Sequence, residues 1–282
     1  MPQTTIDLLN RGIQANHTDK FRRGNLIHLP AKGSLVVGGD IHGHRRNVER
    51  LITYTSLAGH PDRHVILQEI IHGGPEDAAG GCLSYQLLFK AVQWKREFPD
   101  QVHFVMGNHD TAFIINSEVM KNGKEMNRAM TAALEREFGP ASADVQLAIK
   151  QFLLSQPLAV KCANRIWISH SLPSDRLADL FDAGIFEREL RIGDCAKPGS
   201  AYLLTWGRRH SQAVLDRMAR LLDVDIFVLG HQPQPDGWRR AGDNLIILAS
   251  DHNHGHMLPI DLARTPTIDE LVQSLIPLAS IE

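Results

Sequence analysis

Short apolar runs alternate with amphipathic stretches along most of this chain. Residues 34–38, 64–67 and 101–106 are runs of the kind that form buried strands. Between them, 46–57 carries Val48, Leu51 and Ile52 at helical spacing, and 83–98 forms a second helical stretch behind a Gly-rich loop. Further helical stretches run to about residue 154, so the order is βαβαβα, the pattern of a mostly parallel sheet covered by helices. From Pro157 the texture changes. Residues 158–161 and 165–169 flank Cys162-Ala163-Asn164 and predict an antiparallel hairpin. Helices are predicted at 175–181 and 211–222, then strands at 225–229, 244–249 and 256–260. A loop holding Gly237 and Gly242-Asp243 joins the first two of these strands. Thr267-x-x-Glu270 ahead of Leu271, Leu275 and Ile276 is a capping box that opens a C-terminal helix. Residues 1–20, polar with Ile6, Leu8, Leu9 and Ile13 interspersed, predict a short amphipathic helix.

No repeat or low-complexity linker separates the two halves. The expectation is one α/β domain over residues 1–282, with a core at about 34–261, helical extensions at both ends, and two packed sheets with helices outside. At 282 residues and 43% hydrophobic content, the chain can bury a core of that size. A net charge of −2 argues against nucleic acid or an anionic membrane as partner. No apolar run has the length of a membrane span or the form of a signal peptide. Cys82, Cys162 and Cys195 form neither a disulfide framework nor a zinc-finger spacing, so a reduced, cytoplasmic setting is expected.

The candidate chemistry sits where apolar runs end. Gly39-Asp40-Ile41-His42-Gly43 follows the first run; Glu69, Gly107-Asn108-His109-Asp110, Ser169-His170 and Gly230-His231 follow later ones. Functional residues in open α/β sheets gather at the carboxyl ends of strands. One or two carboxylates, an amide and four histidines suit a pair of divalent ions such as Mn, Fe or Zn, where calcium and magnesium want oxygen alone. Two such ions about 4 Å apart clamp a phosphoester and turn a bridging water into hydroxide.

These motifs resemble those of the calcineurin-like metallophosphoesterases, whose series runs G-D-x-H-G, G-D-x-x-D-R-G, G-N-H-[DE], a strand-end His, then G-H. The likeness spans roughly residues 34 to 261. Leu203-Leu204-Thr205-Trp206, with Arg191 fifteen residues before the Trp, and Arg50-Leu51 behind the first motif resemble the serine/threonine phosphoprotein phosphatase branch. The resemblance implies a four-layer α/β/β/α sandwich and a phosphatase acting on a phosphomonoester of a phosphoprotein or small molecule. By the same likeness Asp40 and His42 bind a first metal, and Asn108, His170 and His231 a second. Glu69 bridges them, His109 protonates the leaving oxygen, and Arg191 with Asn108 holds the phosphate. Gln232-Pro233 after His231 matches the branch that lacks a second His there.

The second motif departs from the pattern, reading Leu67-Gln68-Glu69-Ile70-Ile71-His72-Gly73-Gly74. The bridging Asp becomes Glu69, the Asp that orients the catalytic His becomes His72, and a phosphate-binding Arg becomes Gly73. Arg45, Arg46 and Arg208 are candidates to compensate. Asp110 can cap the following helix or support His109. His252, His254 and His256 look like a metal tract by composition, and a turn before the last strand also explains them. His44, His60, His64, His103 and His210 carry no spacing argument and are expected at the surface or in packing, and Trp206 in the core. Hydrolysis of a dinucleoside polyphosphate is an alternative reading. A further alternative, motivated by the altered second motif, is a phosphate-binding protein with little or no activity.

Overall fold

The computed structural model describes all 282 residues. One sheet has five strands in the order Ile276–Pro277, His256–Asp261, Ser34–Asp40, Arg63–Gln68, Val102–Val105; the last three are mutually parallel. The other has seven, in the order Arg22–Arg23, Leu26–Leu29, Ala159–Cys162, Ile166–Ser169, Ile226–Leu229, Leu245–Leu248, Trp238–Ala241. The sheets pack face to face. Leu35, Val37 and Ile66 of the first share one buried cluster with Val160, Ile168, Val228 and Ile246 of the second. The alternate residues Val36, Val65, Trp167 and Phe227 turn outward into a larger cluster with the covering helices. Burial on both faces explains why these strands read as unbroken apolar runs. The architecture is the expected helix–sheet–sheet–helix sandwich.

Three elements differ from expectation. Residues 175–181 form no α-helix; the segment holds only the 3₁₀ turn Ala178–Leu180, and within that turn Ala178 alone is buried. A single buried residue offers too little packing to hold so short a helix. The strands Ile226–Leu229 and Leu245–Leu248 are parallel neighbours, which a simple loop cannot join. The chain instead runs out to an edge strand, Trp238–Ala241, antiparallel to Leu245–Leu248, and turns back. The amino-terminal extension is part of the core. Helix Pro2–His17 buries Leu9 completely, and Leu26–Leu29 pairs parallel with Ala159–Cys162.

A buried polar chain ties this extension to the five-stranded sheet. Lys95 Nζ lies 2.7 Å from Asp19 Oδ2, His103 Nδ1 lies 2.9 Å from the same oxygen, and His64 Nδ1 is 3.1 Å from His103 Nε2. Burial alone would raise the Asp19 carboxyl; the hydrogen bond and charge of His103, with those of Lys95, hold it below the usual carboxylate range. Burial and the neighbouring His103 push His64 down to about 3. Its folded value lies below the unfolded one, so its contribution to stability is fully present above about pH 6.5 and is lost as pH falls from there toward 3. In urea titrations at pH 7 and pH 4, a His64→Gln variant is expected to lose less stability on acidification than the parent. Equal losses would remove His64 from the acid response.

Candidate metal and phosphate site

The carboxyl ends of strands from both sheets meet at one cleft of about 690 Å³. The sheets are stitched together there: Asp40 bridges to Ala249, and both Asp40 carboxylate oxygens accept the His231 backbone N–H at 3.0 Å. His42 Nδ1 lies 3.2 Å from the Ile71 carbonyl, so it carries the proton and Nε2 is left bare, 4.0 Å from Asp40 Oδ2. Glu69 Oε1 accepts the His109 N–H at 3.0 Å. Glu69 Oε2 is buried with no hydrogen-bond partner, 3.0 Å from His170 Nε2. Asn108 Oδ1 lies 2.9 Å from His170 Nε2 and 2.8 Å from His231 Nδ1. One ligand atom each from His42, Glu69 and His109 falls within 4.8 Å of the other two. All five strand-end positions singled out in the sequence therefore converge.

Backbone strain marks the same place. His42, Glu69, His72 and His231 have φ of 43°, 49°, 67° and 66°, in the left-handed region that side chains other than glycine avoid. Each costs about 1–3 kcal/mol, and such residues cluster where a site over-determines the backbone. Gly107 is required by close approach: a Cβ there would sit 2.4 Å from Glu69 Oε1.

Burial raises Asp40 to about 6 and Glu69 to about 8. Burial, and then the charge of Lys121, lowers His42 to about 3; burial also drives His109 and His231 well below the ordinary imidazole value. Two buried carboxyls, neutral imidazoles and a Glu69 oxygen without a hydrogen bond form a mixed oxygen and nitrogen donor set. Those residues fit divalent ions with mixed nitrogen and oxygen ligands.

The sequence model of the family described as calcineurin-like phosphoesterase matches residues 34–253, more than three quarters of the chain. The chain belongs to this family. It is a metallophosphoesterase, a hydrolase of phosphoric esters whose family works with divalent metals. No curated protein matches it by sequence comparison. Among solved structures, a protein serine/threonine phosphatase from Saccharomyces cerevisiae with similarity to human phosphatase PP5 superposes with a TM-score of 0.72 at 15% identity, covering 99% of this chain and 93% of that one. The cold-active protein-tyrosine phosphatase of a psychrophilic Shewanella sp. superposes at 0.57 and 17% identity, covering 84% and 78%. Both likenesses are of fold.

The remaining sites of this phosphoesterase divide between cleft and surroundings. His72 Nδ1 lies 3.0 Å from His109 Nδ1, so the histidine that replaces the expected carboxylate touches the same ring; His72 Nε2 has no partner. Asp110 accepts the Gly107 N–H at 2.9 Å and so caps the helix Asn108–Ile114. Arg191 lies outside the cleft lining, exposed at the head of the 3₁₀ turn Ile192–Cys195, where Asp194 accepts its N–H at 2.8 Å. The guanidinium in the cleft is that of Arg208, with Nε 3.0 Å from His231 Nε2. Arg45 and Arg46 do not line the cleft. Trp206 is half-buried, stacked on Tyr202 and bonded to Thr111. His252 reaches the cleft but bonds the Gln234 carbonyl at 2.9 Å; His254 and His256 stay outside. Three residues had no signal of their own in the sequence. Gln68 Oε1 lies 3.1 Å from His170 Nδ1, while Lys121 and Asp251 pair across the cleft mouth at 3.0 Å.

Proposed function

We propose that this phosphoesterase hydrolyses a phosphomonoester with two divalent ions, Mn, Fe or Zn, in the cleft. The observation that carries this reading is the arrangement around Glu69, whose carboxyl lies among the other donors. His42 and His109 lie near it, as does His170, which is joined through Asn108 Oδ1 to His231, and the Asp40 carboxylate lies between His42 at 4.0 Å and His170 at 3.5 Å. Asp40 and His42 would hold one ion, Asn108, His170 and His231 the other, and Glu69 both. Bound ions supply Lewis acidity toward the phosphoryl group and the attacking water.

The chain's own residues supply the rest. Arg208 uses Nε on His231, which leaves the two outer nitrogens of its fork for phosphoryl oxygens. Asn108 turns its oxygen to the histidines, which leaves its amide N–H₂ as a donor to the substrate. His109, its Nδ1 against His72, presents the other ring nitrogen as the proton donor to the leaving oxygen. Two solved structures that share this fold are named for protein serine/threonine and protein-tyrosine phosphatase activity, which supports a phosphoprotein or aryl phosphomonoester as substrate. Three free, buried cysteines are consistent with a reduced cytoplasmic setting, and no helix is long and apolar enough to cross a membrane.

The substrate class is tested with the manganese-loaded protein on phosphopeptides, an aryl phosphate and diadenosine tetraphosphate. Faster turnover of the monoesters is expected. A preference for diadenosine tetraphosphate would move the assignment to anhydride hydrolysis.

A further inference from the structure

A small hairpin overhangs the site. Met120–Lys121 and Lys124–Glu125 pair antiparallel around Asn122-Gly123, whose φ values of 52° and 77° are those a tight primed turn requires. It belongs to neither main sheet, yet Met120, Lys121, Asn122 and Lys124 all line the cleft. Its two lysines fasten it on opposite rims. Lys124 Nζ pairs with Glu76 Oε1 at 2.7 Å and with the Gly80 carbonyl, so that cation is spoken for on the loop side. Lys121 Nζ pairs with Asp251 Oδ2 at 3.0 Å on the side of the second sheet. Asp251 is itself fixed, because Asn47 Nδ2 donates to the carbonyls on either side of it, Ser250 at 2.8 Å and His252 at 2.9 Å.

The lysine is held but not used up. An ammonium has three N–H donors, and the Lys121–Asp251 pair takes one. The Lys121 side chain is only 24% exposed, and its charge is felt at His42, Glu69, His72 and His109. Arg208 enters the cleft from the side of His231, Lys121 from the side of Asp251. A phosphoryl group seated on the metal ligands therefore meets one cation on each side.

We propose that Lys121, held in place by Asp251, binds the phosphoryl oxygens of the substrate and forms with Arg208 a two-sided clamp for a phosphomonoester dianion. This rests on the phosphomonoester reading above. A compact ammonium serves as a point charge for the dianion, where the Arg208 fork adds direction. The hairpin that carries it is then a substrate-binding element as well as a cover.

The test is calorimetric binding of inorganic phosphate to the metal-loaded protein, with metal content determined in parallel, for the parent, Lys121→Met and Lys121→Arg. Lys121→Met is expected to weaken phosphate binding about tenfold with metal content unchanged, and Lys121→Arg to stay within about threefold of the parent. With an aryl phosphate, KM should rise in Lys121→Met by more than kcat falls. Unchanged phosphate affinity in Lys121→Met with metals intact overturns the proposal, and so does a parent protein that binds no phosphate. A parent that hydrolyses no ester yet binds phosphate in a Lys121-dependent way would retain the clamp and end the hydrolase reading.

Discussion

Replacing His109 by alanine is expected to lower turnover of a phosphomonoester by about 10²- to 10⁴-fold while leaving the metal content nearly intact. His109 lies in the cleft wall at 6% exposure, its Nδ1 3.0 Å from His72 and its ring edge-on to His42. Burial, His42 and His72 all push its proton off. A phosphate dianion in the cleft acts in the opposite sense, favouring the imidazolium that the leaving oxygen needs. His109 also stands within ligand distance of His42 and Glu69, so metal content has to be measured beside the rate. Loss of metal in His109→Ala would make His109 a ligand and end its role as proton donor.

Glu69→Ala is expected to reduce metal affinity by at least about 100-fold and to abolish turnover at ordinary metal concentrations, with Glu69→Asp in between. The carboxyl is fully buried, raised to about 8 by that burial, and held on a strained backbone at φ 49°. One oxygen is used by the His109 N–H and the other has no hydrogen bond at all. The same carboxyl also faces the backbone N–H groups at the head of the helix Asn108–Ile114 and lies 3.0 Å from His170 Nε2, so the folded stability of the variant is measured beside its metal content. Elemental analysis after dialysis against manganese reads the effect directly. A Glu69→Ala protein that keeps the parent's metal content would show that Asp40 and the histidines suffice.

The strand ends were legible because the signal is local. A continuous apolar run declares a strand buried on both faces, and the polar residue at its end has nowhere to go but the crevice between sheets. Asp40, Glu69, Asn108, His170 and His231 all follow that logic. Gln68 escaped it. It stands at the same strand end, directly before Glu69, and its work, accepting near His170 and donating to the Gly38 carbonyl, depends on strands distant in sequence. The sequence singles out Arg191 by its offset from Trp206 and Arg208 only as a candidate to compensate for the arginine replaced by Gly73, yet it is Arg208 that lines the cleft. The Lys121–Asp251 pair, 130 residues apart, joins a two-residue strand too short for any period to register to a bend between two strands. The absent helix at 175–181 is the converse case, a local pattern that tertiary packing did not support.

The central claim is that the convergent carboxyls, amide and histidines form a metal centre that hydrolyses a phosphomonoester. The most direct measurement is hydrolysis of an aryl phosphate by the purified protein, with metal content determined on the same sample before and after chelation. Two equivalents of a divalent transition metal are expected, with activity lost on chelation and restored by manganese. A protein that binds the metals and turns over no ester in the presence of manganese would contradict the claim and make the cleft a phosphate-binding site alone.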